Sequence, residues 1–373
     1  MTLTSADLVT DLMEQAPSDG LWAVTGRGGG STWQELRGEV AALARLYHSH
    51  GIRPGDRVSV QMQPSLTLVW TLLALWSSDV KVLLLEVPSR DTAGVLSRWQ
   101  PRFHIRSGGF GYSCARFVRD CEVILSRRPR SGEAWPTDAC LVQLTADGRM
   151  AGRTAAELQA ELARLSVQPA VPQAGDQVWL TASLSSPAWL VTGVLHAIRC
   201  GATLVLAADW PGLLTTELAC RIGVVFTTVA DARRLAESPD LSLPALRLAV
   251  VGDGPPEPDL GLEFADRFGT RLGTAYSRAG CGLLAWDPWG SHAAPAVGPV
   301  VDGVRLRSTA GELEVLADRW PYLDEPALAA AAGGCWVPTG VRGWIDSADV
   351  LSLGQPHRRA PELVRQGRAG GSG

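Results

Sequence analysis

The chain has 373 residues, 46% hydrophobic and 19% charged, with a formal net charge of −4. That balance supports a sizeable core and excludes intrinsic disorder and a polyanion-binding surface, so nucleic acid is not an expected partner. The longest apolar stretch, Leu66 to Trp76, falls short of the about 20 residues that a spanning helix needs, and the N-terminus shows no basic-then-apolar secretory pattern, so no membrane contact is expected and the cytoplasm is the expected compartment.

Thr32-Trp33-Gln34-Glu35 has the form of a capping box, in which the Thr hydroxyl and the Glu carboxylate satisfy backbone amides at a helix start. Leu36, Val40, Leu43, Ala44 and Tyr47 then fall on one helical face, and Gly51 stops the helix. After the turn Pro54-Gly55-Asp56, the segment 58–62 alternates as a strand, 66–77 is predicted as a helix and 80–87 as a buried strand. The alternation continues with strands at 141–145, 177–182, 202–206, 224–227 and 246–251, and with helices at 155–165, 188–199 and 230–236. Apolar strands separated by single helices need crossover connections, which predicts parallel sheets covered on both faces through about residue 270. From about 298 to 355, short alternating segments divided by Gly, Pro and Asp predict a β-rich subdomain, and residues 361–373 are expected to form a flexible tail.

Seven cysteines, at 114, 121, 140, 200, 220, 281 and 335, include no CxxC pair and are expected to be free thiols. His48-x-His50 closes an amphipathic helix and is expected to be a solvated terminus, so no metal site is predicted. Arg127-Arg128-Pro129-Arg130 and Arg358-Arg359 are short basic clusters of the kind an acidic partner surface would meet.

The order of segments resembles the adenylate-forming superfamily of acyl- and aryl-CoA synthetases, luciferase-like enzymes and peptide-synthetase adenylation domains. The residues that carry the likeness are Thr32–Leu36 with Gly51–Val58, Trp179–Gly201, Leu246–Gly254, Val297–Val304, Gly311-Glu312-Leu313 and Trp336–Gly340. The resemblance implies two stacked, mainly parallel sheets with covering helices and a small distorted β-barrel, as one N-terminal domain over residues 1–360. It also implies that the small C-terminal lid domain of the family is absent after Gln355 and His357, where the family's hinge would stand.

The family's Ser/Thr/Gly-rich loop gathers backbone amides and hydroxyls around the ATP phosphates. Its counterpart here is the run 144–154, which keeps Thr145, Gly148 and Gly152, brings in Asp147 and Met150, lacks the Lys and offers Arg149 or Arg153 as a substitute charge. The same run mimics a shortened Walker loop, against the plainer reading of a turn before the helix at 155. The family's "YGxTE" becomes Tyr276-Ser277-Arg278-Ala279-Gly280, which keeps the aromatic but loses the hydroxyl and the metal-binding carboxylate. In "TGD" the ribose-binding Asp becomes Val341 after Thr339 and Gly340, and Val accepts no hydrogen bond.

The expected vestigial nucleotide site is therefore Thr145, Gly148, Arg149, Arg153, Gly252, Tyr276 and Thr339. The expected acyl pocket is Ser186, Trp189, Gly252 and Gly254, with Trp189 weighed against a core role. The resemblance and these losses point to a degenerate ligase homologue that acts with a partner, an acyl or peptidyl carrier protein, a synthase or another ligase subunit, in a secondary-metabolite pathway, either as a scaffold or by binding an acyl or amino-acid ligand in the inherited pocket. Two alternatives stand beside it: a divergent active ligase using a lid in trans, for which alone ATP or AMP and Mg²⁺ are expected, and an ATP-independent acyl transferase or cyclase.

Overall fold

A computed structural model describes residues 3–25, 29–87, 91–108, 119–129, 137–206, 215–252, 254–325 and 334–354. Three sheets organise them. The largest has eight strands in the order Gly282–Asp287, Leu272–Arg278, Leu248–Val251, Ile222–Thr227, Gln177–Leu180, Thr203–Leu206, Leu21–Thr25 and Gly30–Thr32. Its inner pairs are parallel and its two outermost pairs antiparallel. The second sheet repeats this plan with six strands, Val123–Arg127, Phe103–Ser107, Arg57–Gln61, Lys81–Leu84, Leu141–Leu144 and Met150–Arg153. The third is the five-stranded antiparallel sheet Ala296–Pro299, Val350–Leu353, Cys335–Ile345, Glu312–Ala317 and Leu306–Thr309.

Burial follows from this layering. Alternate strand residues belong to different cores: Val58, Val82, Leu84, Val178, Leu204 and Val224 join one central cluster, whereas Leu83 and Leu85, or Val205, Val225 and Ala249, join clusters on the opposite sheet faces. The strand predicted at 58–62 is accordingly buried on both faces at Arg57–Val60, because parallel strands are covered on both sides. Helix Leu66–Trp76 is buried at every position and belongs to the central cluster, which explains its lack of a polar face. The capping box of helix Trp33–Ser49 forms as its sequence predicts, the Thr32 hydroxyl accepting from the Glu35 amide at 3.1 Å and the Glu35 carboxylate accepting from the Thr32 amide at 2.8 Å.

Three features depart from the sequence reading. The run before the helix at 155 is a β-hairpin rather than a plain turn, because Met150–Arg153 pairs with Leu141–Leu144 on one side and with the 321–323 segment on the other. The helix expected at 188–199 runs from Pro187 to Cys200 and contains a buried π-helical stretch, Leu190–Leu195. Helix Pro258–Phe268 and the hairpin Leu272–Arg278/Gly282–Asp287 were not predicted; the hairpin holds the run read as the adenine and metal motif.

The described cysteines are free, with Cys140 buried and Cys220 exposed. Cys114, Arg130, Arg358, Arg359 and the tail lie outside the described residues. No helix among the described residues is long and apolar enough to cross a membrane.

Candidate functional site

The carboxyl ends of the parallel strands of both large sheets open onto one cleft of about 750 Å³. Ligands of open α/β sheets bind at such ends, where loops leave the strands and side chains from several elements converge. Leu84, Gln143 and Leu144 contribute from the six-stranded sheet, Ser277 from the eight-stranded one, and Ser185 and Gly252 from the loops that leave its strands Gln177–Leu180 and Leu248–Val251. Gln143 ties the two together: its buried Nε2 donates to the Ser185 carbonyl at 2.7 Å. Charge enters from Glu86, Asp91, Arg98 and Arg278. Asp91 caps helix Thr92–Trp99, Arg98 pairs with Asp324 at 2.7 Å, and Arg278 donates to the Thr339 carbonyl at 2.8 Å.

Of the residues expected from sequence, Thr145, Gly148, Ser186 and Gly252 line this cleft. Gly252 is there because nothing larger fits: a Cβ would overlap the ring of Trp189. Trp189 is therefore a packing residue rather than a wall of the cleft, fully buried and stacked on Phe226 at 4.9 Å between ring centroids. Arg149 stacks over Tyr322 at 3.8 Å and pairs with Asp147 at 2.8 Å.

Arg153 points elsewhere: its side chain, 5% exposed, pairs with Glu161, 1% exposed, at 2.5 Å. Tyr276 turns away from the cleft into a cluster with Leu284, Val297, Leu313 and Leu351, and burial raises its pKa. The Thr339 hydroxyl is committed to the small sheet, donating to the Leu313 carbonyl at 2.9 Å. Gly254 takes φ +133 with open space around its missing Cβ.

Gln143, Ser185, Ser277, Arg278, Glu86, Asp91 and Arg98 were missed as cleft residues. Ser277 and Arg278 lie in the run read as the adenine and metal motif, and Ser185 in the stretch Trp179–Gly201; the others are brought to the cleft by strand order, which local sequence does not carry.

An ATP-like ligand tests the fit. Its phosphates need free amides, yet the five-residue turn Thr145–Arg149 closes on itself. The amides of Thr145 and Gly148 donate to the Arg149 and Thr145 carbonyls at 2.9 Å each, and the Arg149 amide donates to the Thr145 hydroxyl at 2.9 Å. That hydroxyl donates in turn to Asp147, and this bond, with the Arg149 guanidinium, holds the Asp147 carboxyl below its ordinary pKa. The run that the resemblance assigns to the phosphates thus holds an Asp147–Arg149 ion pair closed within the turn.

At the metal-ligand position, Gly280 takes φ +83, and a Cβ would come within 3.0 Å of both Ala151 and Pro321. The Val341 amide donates to the Thr339 hydroxyl at 3.2 Å, and its side chain offers no acceptor for a ribose. Among the described residues no group of three His, Cys, Asp or Glu could hold a metal ion. These residues do not fit a nucleoside triphosphate with its divalent cation.

The sequence matches no family model and no curated protein. Solved structures do match it. Apo MatB from Rhodopseudomonas palustris superposes with a TM-score of 0.77 at 17% identity, over 95% of this chain and 78% of that one. A benzoate CoA ligase from Burkholderia xenovorans LB400 gives 0.76 at 16% identity, over 95% and 80%. The N-terminal domain of FACL13 from Mycobacterium tuberculosis gives 0.75 at 15% identity, over 93% of this chain and 99% of that domain. At such identities the likeness shows the fold, which is that of the N-terminal domain of adenylate-forming ligases.

Proposed function

We propose that this chain, built on the N-terminal-domain fold of adenylate-forming ligases, is a degenerate homologue that does not form adenylates on its own. The observation that carries the reading is the turn Thr145–Arg149, whose Thr145, Gly148 and Arg149 amides bond within the turn and whose Asp147 carboxyl is held below its ordinary pKa. A phosphate brought there meets a carboxylate that already holds the nearest guanidinium, and few free donors, whereas a working anion site presents converging amides. Loss of the metal-binding carboxylate at Gly280 and of the ribose acceptor at Val341 falls on separate parts of the same chemistry, so one compensating change does not restore it.

The cleft itself persists, and about 750 Å³ suits a small organic ligand. We read it as an inherited acyl or amino-acid pocket used with a carrier protein or synthase in a cytoplasmic biosynthetic pathway. The test is incubation with Mg²⁺, ATP and a panel of acyl and amino acids. The expected result is no acid-dependent pyrophosphate release and no saturable nucleotide binding; release stimulated by any one acid overturns the proposal.

A further inference from the structure

Cleft and turn leave unexplained a second cavity of about 620 Å³. The two share a wall: Ala279 lines the cleft, while the next residues, Gly280 and Cys281, line the cavity. One further side is helix Ala155–Ser166, which presents Ala156, Ala160 and Arg164 at four-residue spacing, hence on one face. The small antiparallel sheet and its leading turn contribute Val304, Val315 and Ala317.

Three arginines reach this space, and two are neutralised within the fold. Arg153 pairs with Glu161 at 2.5 Å, and Arg319 grips both oxygens of Glu157 at 3.0 Å each. Arg164 differs. Its Nε is buried without an acceptor, and no carboxylate among the described residues pairs with its guanidinium. The guanidinium lines the cavity with its charge unpaired among the described residues, which leaves it to an acceptor from outside the chain.

We propose that this cavity binds a small organic monoanion, a carboxylate on a short apolar body, held by the Arg164 guanidinium. A carboxylate matches the planar fork of arginine. The apolar walls at Ala156, Ala160, Val304 and Val315 suit an alkyl body. Asp138 and Asp318 on the same walls oppose a second negative charge, which disfavours a phosphate dianion. The site is distinct from the cleft and does not depend on whether the cleft adenylates anything.

Hexanoate is the probe, titrated into the full chain by calorimetry, with hexan-1-ol and inorganic phosphate as comparators and circular dichroism to verify that each variant is folded. Saturable hexanoate binding is expected, with both comparators at least about tenfold weaker. Arg164→Gln should weaken hexanoate by at least about tenfold. Ala160→Trp, which fills the cavity, should do the same, whereas Arg278→Ala in the cleft should leave the affinity unchanged.

Several results overturn the proposal: no saturable binding to the unmodified chain, phosphate binding as tight as hexanoate, or affinity that survives either Arg164→Gln or Ala160→Trp in a folded variant. Loss of affinity in Arg278→Ala would place the acid in the cleft and overturn it too.

Discussion

Gly280 occupies the tip of the hairpin between Leu272–Arg278 and Gly282–Asp287, with a left-handed φ of +83 and neighbours on both sides of its missing Cβ. Restoring a carboxylate there meets backbone strain before any metal chemistry. Gly280→Glu is expected to lower the unfolding free energy in urea by about 1–3 kcal/mol, from the left-handed backbone and the crowded Cβ together. It should not create Mg·ATP binding, since the turn at Thr145–Arg149 stays closed.

His196 carries a second prediction at this scale. Its ring is buried, its Nε2–H donates to the Pro172 carbonyl at 3.2 Å, and burial holds its pKa down at about 4. In the unfolded chain the imidazole takes its proton near the ordinary pH of about 6.5. The unfolded state therefore binds the extra proton first as pH falls. The stability this histidine leaves intact above about 6.5 is lost progressively down to about 4, by roughly 3 kcal/mol in all. Urea midpoints between those two limits should show the loss, and His196→Gln should flatten that part of the profile.

Among elements, helix Ala155–Ser166 is held through the buried Glu161 to strand Met150–Arg153 by an ion pair and to the Leu272–Asp287 hairpin by a hydrogen bond. Glu161 pairs with the Arg153 guanidinium at 2.5 Å and accepts from the Leu283 amide at 3.1 Å. Glu161→Gln keeps an acceptor for Leu283 but leaves the Arg153 charge buried and uncompensated. Such a loss costs about 3–5 kcal/mol, measurable by urea unfolding, whereas a change near zero would show that Arg153 finds solvent or another partner.

This pair also shows what sequence could and could not reveal. Elements specified locally were legible: the Thr32–Glu35 capping box, and the apolar strands whose covered faces predict parallel sheets. Met150–Arg153 was not, because Met, Ala and Gly carry little strand preference. Its extended state rests on pairing with Leu141–Leu144 and with a segment about 170 positions later. Arg153 was assigned a phosphate role for the same reason, since its partner Glu161 lies two turns along the next helix and is oriented toward it only by that hairpin. The cleft was half legible: Thr145, Gly148, Ser186 and Gly252 sit in recognisable motifs, whereas Glu86, Asp91 and Arg98 arrive through crossover connections.

For the whole molecule, the two large sheets share a continuous core and direct their strand ends into one cleft. On the function proposed above, that scaffold is kept without the groups that would grip a triphosphate, a cation and a ribose. The expectation is a stable domain with a small-molecule cleft and without nucleotide chemistry.

Calorimetric titration of the full chain with Mg·ATP tests this most directly. A stably folded protein should give no saturable heat corresponding to a Kd tighter than about 1 mM, and saturable binding with a Kd of about 1 μM would contradict the account.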